Sequence, residues 1–334
     1  MARPRYAFVI PVFNEEQTLE ELYTRLAGVM SRLDGDSEVI FVDDGSRDRT
    51  FELLLELNRR DPRIRVLRLA RNFGHQTAIT AGLDYSFASA TIIMDADLQD
   101  PPEVALDLVA RWREGYEIVY AVREQRLGDP WVKRALATGF YRFLRRVTDV
   151  SIPVDVGDFR LIDARVLNEF KGMRERNRYV RGMFAWIGFR QTGVPFKRHE
   201  RFAGSTKYPF RKSLALALDG VLSFSNAPLR VALTFGFLVS GASVLVGLLA
   251  VIGYLTGLYA VVRGIASVVV LLTFLGGVQL VVVGMVGLYV GRMYDEVKGR
   301  PLYVLWDAYG FGSDTAWDPT PPARDEGHMH DAPA

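Results

Sequence analysis

The sequence predicts an α/β protein built on a mainly parallel sheet and followed by a hairpin of two transmembrane helices. Three observations lead there. Short β-branched runs alternate with amphipathic stretches from Tyr6 to Ala121. Polar residues gather just after those runs, and from Val231 to Gly291 the only charged residue is Arg263. Alternation of strand and helix over such lengths is the pattern of parallel sheets with crossover helices, and uncharged stretches longer than ~20 residues are long enough to cross a bilayer as helix.

Tyr6 to Val12, Val39 to Val42, Ile64 to Leu69, Thr91 to Met94 and Ile118 to Ala121 read as strands, being short, apolar and β-branched. Thr18 to Leu33, Thr50 to Arg59, Thr77 to Ala88 and Glu103 to Trp112 carry apolar residues at helical spacing between them. In such sheets ligands sit beyond the carboxyl ends of the strands, so the segments just after each strand hold the candidate site.

After the first strand comes Pro11-Val12-Phe13-Asn14-Glu15-Glu16, and after the second Val42-Asp43-Asp44-Gly45-Ser46. Each alone suits helix capping or an Asp-Gly turn; together, at one sheet edge, their carboxylates suit hydrogen bonding to a ribose or base. Arg71-Asn72-Phe73-Gly74-His75-Gln76 follows the third strand as a turn opening a helix, where backbone N–H groups or Arg71 face a diphosphate. His75 there reads as a turn or capping residue. The strongest chemical signal is Asp95-Ala96-Asp97-Leu98-Gln99-Asp100-Pro101-Pro102. Alternation along extended backbone is expected to place Asp95, Asp97 and Gln99 on one side. Oxygen donors of this kind suit Mg²⁺ or Mn²⁺ completed by water and substrate phosphate, and the lack of nearby His or Cys ligands disfavours zinc.

The chain of 334 residues contains no cysteine, which removes disulfides and thiolate chemistry. No G-x-G-x-x-G follows the first strand, and neither a G-x-x-x-x-G-K-[ST] loop nor a G-x-S-x-G elbow occurs, so dehydrogenase, P-loop NTPase and α/β-hydrolase readings lose their central feature. Residues 231–262 and 264–291 read as two membrane spans, with Arg263 in the turn between them at the interface, where a lone Arg costs little. Arg211, Lys212 and Arg230 before the spans and Arg292, Lys298 and Arg300 after them place both termini in the cytoplasm. The N-terminal stretch has no secretory-signal pattern, in keeping with that orientation. Gly287 and Gly291, in G-x-x-x-G spacing, suit close helix pairing, within the hairpin or in a homo-oligomer. The basic, aromatic-rich stretches Arg123 to Arg146 and Arg190 to Lys212, just ahead of the spans, are expected to meet an anionic lipid surface rather than nucleic acid. Helices around Trp131 to Val147 and Pro209 to Ser225 are expected at that interface.

Taken in order, Val9 to Glu16, Val42 to Ser46, Arg71 to Gln76 and Asp95 to Glu103, with two spans behind them, resemble the polyprenyl-phosphate glycosyltransferases of glycosyltransferase family two. The chain is similar to dolichyl-phosphate mannose synthases and, in having two spans, to bacterial bactoprenol glucosyl transferases. The resemblance covers about residues 5 to 305. It implies a nucleotide-diphospho-sugar transferase domain of GT-A type, with Pro11, Asn14, Glu15, Asp43, Asp44 and Gln76 around the donor nucleotide and Asp95, Asp97 and Gln99 around the metal. It also singles out Val156-Gly157-Asp158-Phe159-Arg160-Leu161, in which Asp158 is the candidate base or acceptor-orienting group and Arg160 a phosphate contact. Arg201-Phe202-Ala203-Gly204-Ser205-Thr206-Lys207-Tyr208 resembles the family's R-x-x-G-x-S-K-Y, with Thr206 in place of the usual Ser. Arg201 and Lys207, with Arg123 and Arg126, are further phosphate candidates.

The implied reaction is inverting transfer of a sugar, UDP-glucose being the first choice of donor and GDP-mannose the second, to a polyprenyl phosphate at the cytoplasmic membrane face. The expected organisation is a glycosyltransferase domain over residues 1–228, two membrane helices over 229–292 and a C-terminal segment over 293–334, disordered beyond about residue 317. Within that segment Pro301 to Phe311 is expected to dock on the catalytic domain or a neighbouring protomer. A processive polysaccharide synthase would call for more spans and a Q-x-x-R-W motif, absent here. A catalytically silent membrane scaffold is disfavoured by the intact D-A-D-L-Q segment.

Overall fold

The computed structural model describes residues 4–123, 156–197 and 265–311, with scattered positions between 232 and 256. Its centre is an eight-stranded sheet in the order β7-β5-β6-β4-β1-β2-β3-β8. The strands are β1 (Tyr6–Val12), β2 (Ser37–Asp43), β3 (Ile64–Leu69), β4 (Ala90–Ile93), β5 (Ile118–Arg123), β6 (Val156–Asp163), β7 (Gln191–Phe196) and β8 (Leu305–Tyr309). β1 pairs in parallel with both β2 and β4, β2 with β3, and β5 with β7; β6 runs antiparallel between β4 and β5, and β8 antiparallel along β3.

Among the described residues, the helices with defined bounds are α1 (Leu19–Met30), α2 (Thr50–Arg60), α3 (His75–Asp84), α4 (Val104–Arg113), α5 (Ala164–Gly172), α6 (Val180–Ile187) and α7 (Ile265–Val297). The central strands are buried on both faces, so their alternate side chains feed two cores. Phe8, Ile10 and Phe41 pack with Leu22, Leu26, Leu54 and Leu108 of α1, α2 and α4. Val9, Ile40 and Val42 pack on the other face with Ile79, Leu83, Phe170 and Phe184 of α3, α5 and α6. The chain changes face after β3, when α3 crosses to β4 on the far side of β1. That strand-order reversal opens a crevice at the carboxyl ends of β1, β2 and β4.

Gly82 sets how deeply α3 lies on the sheet: a Cβ there would stand 2.4 Å from Val9 Cγ1 and 3.0 Å from Val42 Cγ2. At the C-terminal end, Val304 O accepts from Ala70 N (2.9 Å), and the Tyr309 and Phe311 rings pack against Phe51 and Tyr85. Residues 301–311 therefore dock on this chain's own α/β sheet domain.

α7 corresponds to the second expected span and continues past it, through Arg292, Asp295 and Glu296. Among the described residues, one stretch is long and apolar enough to cross a membrane, Phe274–Val297, and its side chains are not buried by the rest of the protein. A Cβ added at Gly276, Gly277, Gly284, Gly287 or Gly291 would meet nothing within 4 Å. Most of residues 231–262, the interfacial helices expected near 131–147 and 209–225, the phosphate candidates Arg126, Arg201 and Lys207, and the tail beyond 317 lie outside the described residues.

Candidate active site

The turns after β1 and β2 are laced together. Asn14, at a positive φ of 55° that Asn tolerates better than most residues, donates its N–H to Ser46 Oγ (3.0 Å) and accepts from Arg47 N at Oδ1 (2.8 Å). Glu15 N–H donates to Thr50 Oγ1 (2.8 Å), while Thr18 Oγ1 donates to its carboxylate. Pro11 is buried in β1 opposite Val42, whereas Asn14 is exposed and Glu15 half-buried.

Asp43 is fully buried, accepting from Ser46 N at Oδ1 (3.0 Å) with Oδ2 3.8 Å from Arg68 Nε, and burial pushes its carboxyl up. Asp44 accepts from the N–H groups of Phe73 (2.7 Å) and Gly74 (2.9 Å), so both its oxygens hold the β3–α3 turn in place. Gly45 makes that approach possible: its φ is +74°, and a Cβ would sit 2.8 Å from the backbone of Arg71 and Asn72.

Asp95, Asp97 and Gln99 follow β4, but not on one side of an extended strand. β4 ends at Ile93, and the segment beyond it curls, with buried Leu98 at φ +57° and Asp97 Oδ1 accepting from Gln99 N (3.1 Å). Short Asp side chains compete for local backbone donors and turn the chain where alternation would have kept it straight. A non-glycine residue at positive φ costs on the order of 1 to 3 kcal/mol and persists only where its surroundings over-determine it.

Burial and the neighbouring carboxylates of Asp158, Asp100 and Asp97 raise the Asp95 carboxyl to about 6, although His75 opposes the shift. Its Oδ1 is buried without a hydrogen bond and lies 3.4 Å from His75 Nε2. Among the described residues, no three His, Asp or Glu side chains converge as a ready-made metal cage. Oxygen donors carrying excess negative charge fit the other type of site, in which Mg²⁺ or Mn²⁺ takes one or two carboxylates and completes its shell with water and diphosphate.

Asp158, on β6, is the hub of the charged groups. It is 3% exposed and accepts from Arg181 twice, Nε to Oδ1 at 2.8 Å and Nη2 to Oδ2 at 3.0 Å. His75 Nε2 lies 3.3 Å from Oδ2, and Gln76 Nε2 3.4 Å from it. Burial favours the neutral acid, but the hydrogen bonds of His75 and Arg181 and the guanidinium charges of Arg181 and Arg160 hold Asp158 far below the usual carboxylate range. For His75, burial lowers the affinity for a proton, and the Asp158 hydrogen bond with the Asp95 charge more than restores it, so its net shift is upward.

Arg160, almost fully buried, donates to Gly157 O (2.9 Å) and lies over the Phe184 ring, and burial brings its guanidinium down to about 10. Arg123, at the end of β5, is 3.7 Å from Asp100 Oδ2 and closes on Gly157, whose missing Cβ leaves room for its guanidinium.

Polar contacts thus run from the β1 turn to the β2 turn, to the β3–α3 turn, and through His75 to β4 and β6. Every described site candidate lies along or beside this path. Arg181 and His75 are the additions. Arg181 stands in no recognisable spacing, and His75 sits two residues before the expected start of its helix, so neither announces a role in the sequence.

The profile of glycosyl transferase family 2 matches residues 7–170. The uncharacterized glycosyltransferase YkcC of Bacillus subtilis (strain 168) is 46% identical over 307 residues, covering 92% of this chain and 94% of that protein. The bactoprenol glucosyl transferase of Shigella phage SfV is 38% identical over 301 residues, covering 90% of this chain and 98% of its own. Among solved structures, glucosyl-3-phosphoglycerate synthase from Mycobacterium tuberculosis in complex with UDP aligns at 17% identity over 66% of this chain and 79% of that one, with a TM-score of 0.43. The chain belongs to glycosyltransferase family 2. It is a glycosyltransferase with a GT-A-like α/β fold.

Proposed function

We propose that this enzyme transfers glucose from UDP-glucose to a polyprenyl phosphate at the cytoplasmic face of a membrane, with inversion at the anomeric carbon and with Mg²⁺ or Mn²⁺ as cofactor. The observation that carries the reading is likeness over 90% of the chain to proteins named bactoprenol glucosyl transferase, in a molecule whose polar crevice is followed by an exposed apolar helix. A water-soluble donor and a lipid-bound acceptor call for both.

In this reading the turns after β1 and β2 hold the nucleoside, with Asn14, Glu15 and Asp43 beside it. Asp95, Asp97 and Gln99 would hold the metal, which when bound neutralises charge on the leaving diphosphate. A phosphate monoester has a second pKa near ~6 and is largely a dianion at neutral pH. Its oxygen attacks the anomeric carbon as the bond to the nucleotide diphosphate breaks, and the bonding electrons leave with that diphosphate. No strong base is required, and Asp158, held ionised by Arg181, is suited to orient the site's cations rather than to remove a proton. Arg123 and Arg160 supply positive charge for the acceptor phosphate. α7, with a first span ahead of it, keeps the domain at the lipid surface.

The test is incubation of the purified full-length protein with undecaprenyl phosphate and a panel of labelled sugar nucleotides, followed by identification of the lipid product. The expected product is a lipid-phospho-glucose from UDP-glucose, lost reversibly in EDTA and lost in Asp97→Asn. Label transferred only from another sugar nucleotide overturns the donor, full activity in EDTA overturns the metal, and no lipid product from any donor overturns the acceptor.

A further inference from the structure

The residues that hold Asp158 are themselves tied to the segment the chain makes after its membrane helix. Asp84 closes α3, the helix whose first turn carries His75 and Gln76, and it is fully buried. Tyr303, beyond α7, donates its hydroxyl to Asp84 Oδ2 at 2.9 Å, and Arg174 Nη1 donates to both Asp84 oxygens at 2.9 and 3.0 Å. Burial first, and then the Asp84 carboxylate, push the Tyr303 phenol well up, so it remains a proton donor throughout the working pH range.

Arg174 lies in the short loop between α5 and α6. In the same loop Arg176 donates its backbone N–H to Glu296 Oε1 at 2.7 Å and its guanidinium to Arg300 O. Arg178 donates to Met173 O (2.7 Å) and lies over the Phe170 ring, folding the loop onto α5. The loop then delivers Val180, whose N–H donates to Gln76 Oε1 (3.0 Å), and Arg181, which grips Asp158. Two struts therefore lead from the post-membrane segment to one carboxylate, α3 ending at Gln76 and the 173–179 loop ending at Arg181. Val180 ties them together.

We propose that Glu296 and Tyr303 are positioning residues for sugar transfer, clamping α3 and the 173–179 loop so that Arg181, Gln76 and His75 hold Asp158 where it orients the site's cations. The role rests on the reading of Asp158 given above. It also supplies a physical reason for the chain to return from α7 to its own sheet: the Asp158 carboxylate is set in a frame that includes the end of that helix.

The experiment compares full-length Tyr303→Phe, Glu296→Ala and Glu296→Gln in lipid nanodiscs. Tyr303→Phe and Glu296→Ala are expected to lower kcat about fivefold or more while the sugar-nucleotide KM stays within about twofold, the signature of a contact that matters in the transition state. Glu296→Gln keeps an acceptor for Arg176 N–H and is expected to retain kcat, which loss of charge alone would not allow. Combined with Asp158→Asn, Tyr303→Phe is expected to cost nothing further, because both act on one group. Wild-type kcat in both Tyr303→Phe and Glu296→Ala, or losses that simply multiply with that of Asp158→Asn, overturns the clamp. If Asp158→Asn is itself fully active, the reading of Asp158 fails separately. The clamp is then judged by hydrogen exchange at the Val180 and Arg181 amides, where acceleration of about tenfold in Tyr303→Phe supports it and unchanged exchange overturns it.

Discussion

Asp95 shows at the scale of one residue how stability and chemistry oppose each other. Its carboxyl is raised to about 6, mainly by burial and then by the carboxylates around it. The folded protein therefore holds the Asp95 proton more tightly than the unfolded chain does. The associated stability is fully present below about pH 4 and is lost as pH rises through about 6, an effect on the order of 2 to 3 kcal/mol. At pH 7.5 without metal, Asp95→Asn removes a charge the fold disfavours. The variant is expected to unfold at a temperature roughly 4 to 8 °C higher than wild type, the gap closing as pH falls towards 4, and to lose sugar transfer. Thermal unfolding in EDTA across that range checks it, and equal midpoints at pH 7.5 would mean that Asp95 is not poised for a cation.

Among elements, α3 connects the most functions, with His75 and Gln76 at its start and Asp84 at its end. Alanine usually stabilises a helix interior over glycine by ~1 kcal/mol, but at Gly82 the added Cβ would press on Val9 and Val42. Gly82→Ala is expected to destabilise the protein by about 1 to 3 kcal/mol and to lower kcat as α3 is lifted from the sheet, with chemical denaturation and transfer assays as the measurements. A stabilised Gly82→Ala would show that α3 rides loosely.

The same element marks where the sequence was legible. β1 to β5 and α1 to α4 show themselves because each is a short apolar run or a clean helical stripe, and the crevice follows from their order. β6 is masked by Asp158 and Arg160 within it, charged residues whose burial is tolerable only because Arg181, His75 and Gly157 receive them. β7 contains Gly193 and Pro195, which suit an edge strand and carry little strand signal. The oxygen-bearing residues after β4 were visible as types but not as geometry, since the Leu98 conformation answers to packing. Arg181 was invisible because its meaning lies in a contact across the fold.

For the whole molecule, order along the chain and order in space part company at β8. The 1–228 segment contains every expected catalytic residue, yet the strand covering the outer edge of β3 comes from residues 305–309, beyond α7 in the chain. An uncovered β3 edge presents unpaired backbone groups to other chains. A chain ending at residue 228 is therefore expected to be markedly less stable and more prone to aggregate than the same chain joined through a flexible linker of about 20 residues to 299–313, which restores β8 and Tyr303. Size-exclusion profiles and thermal midpoints of the two proteins decide the matter. If the shorter chain is equally monomeric and equally stable, the returning strand is an ornament of the sheet. If only the linked chain holds together, α7 lies inside a single folding unit, and the placing of that exposed apolar helix and the completion of the sheet are parts of the same event.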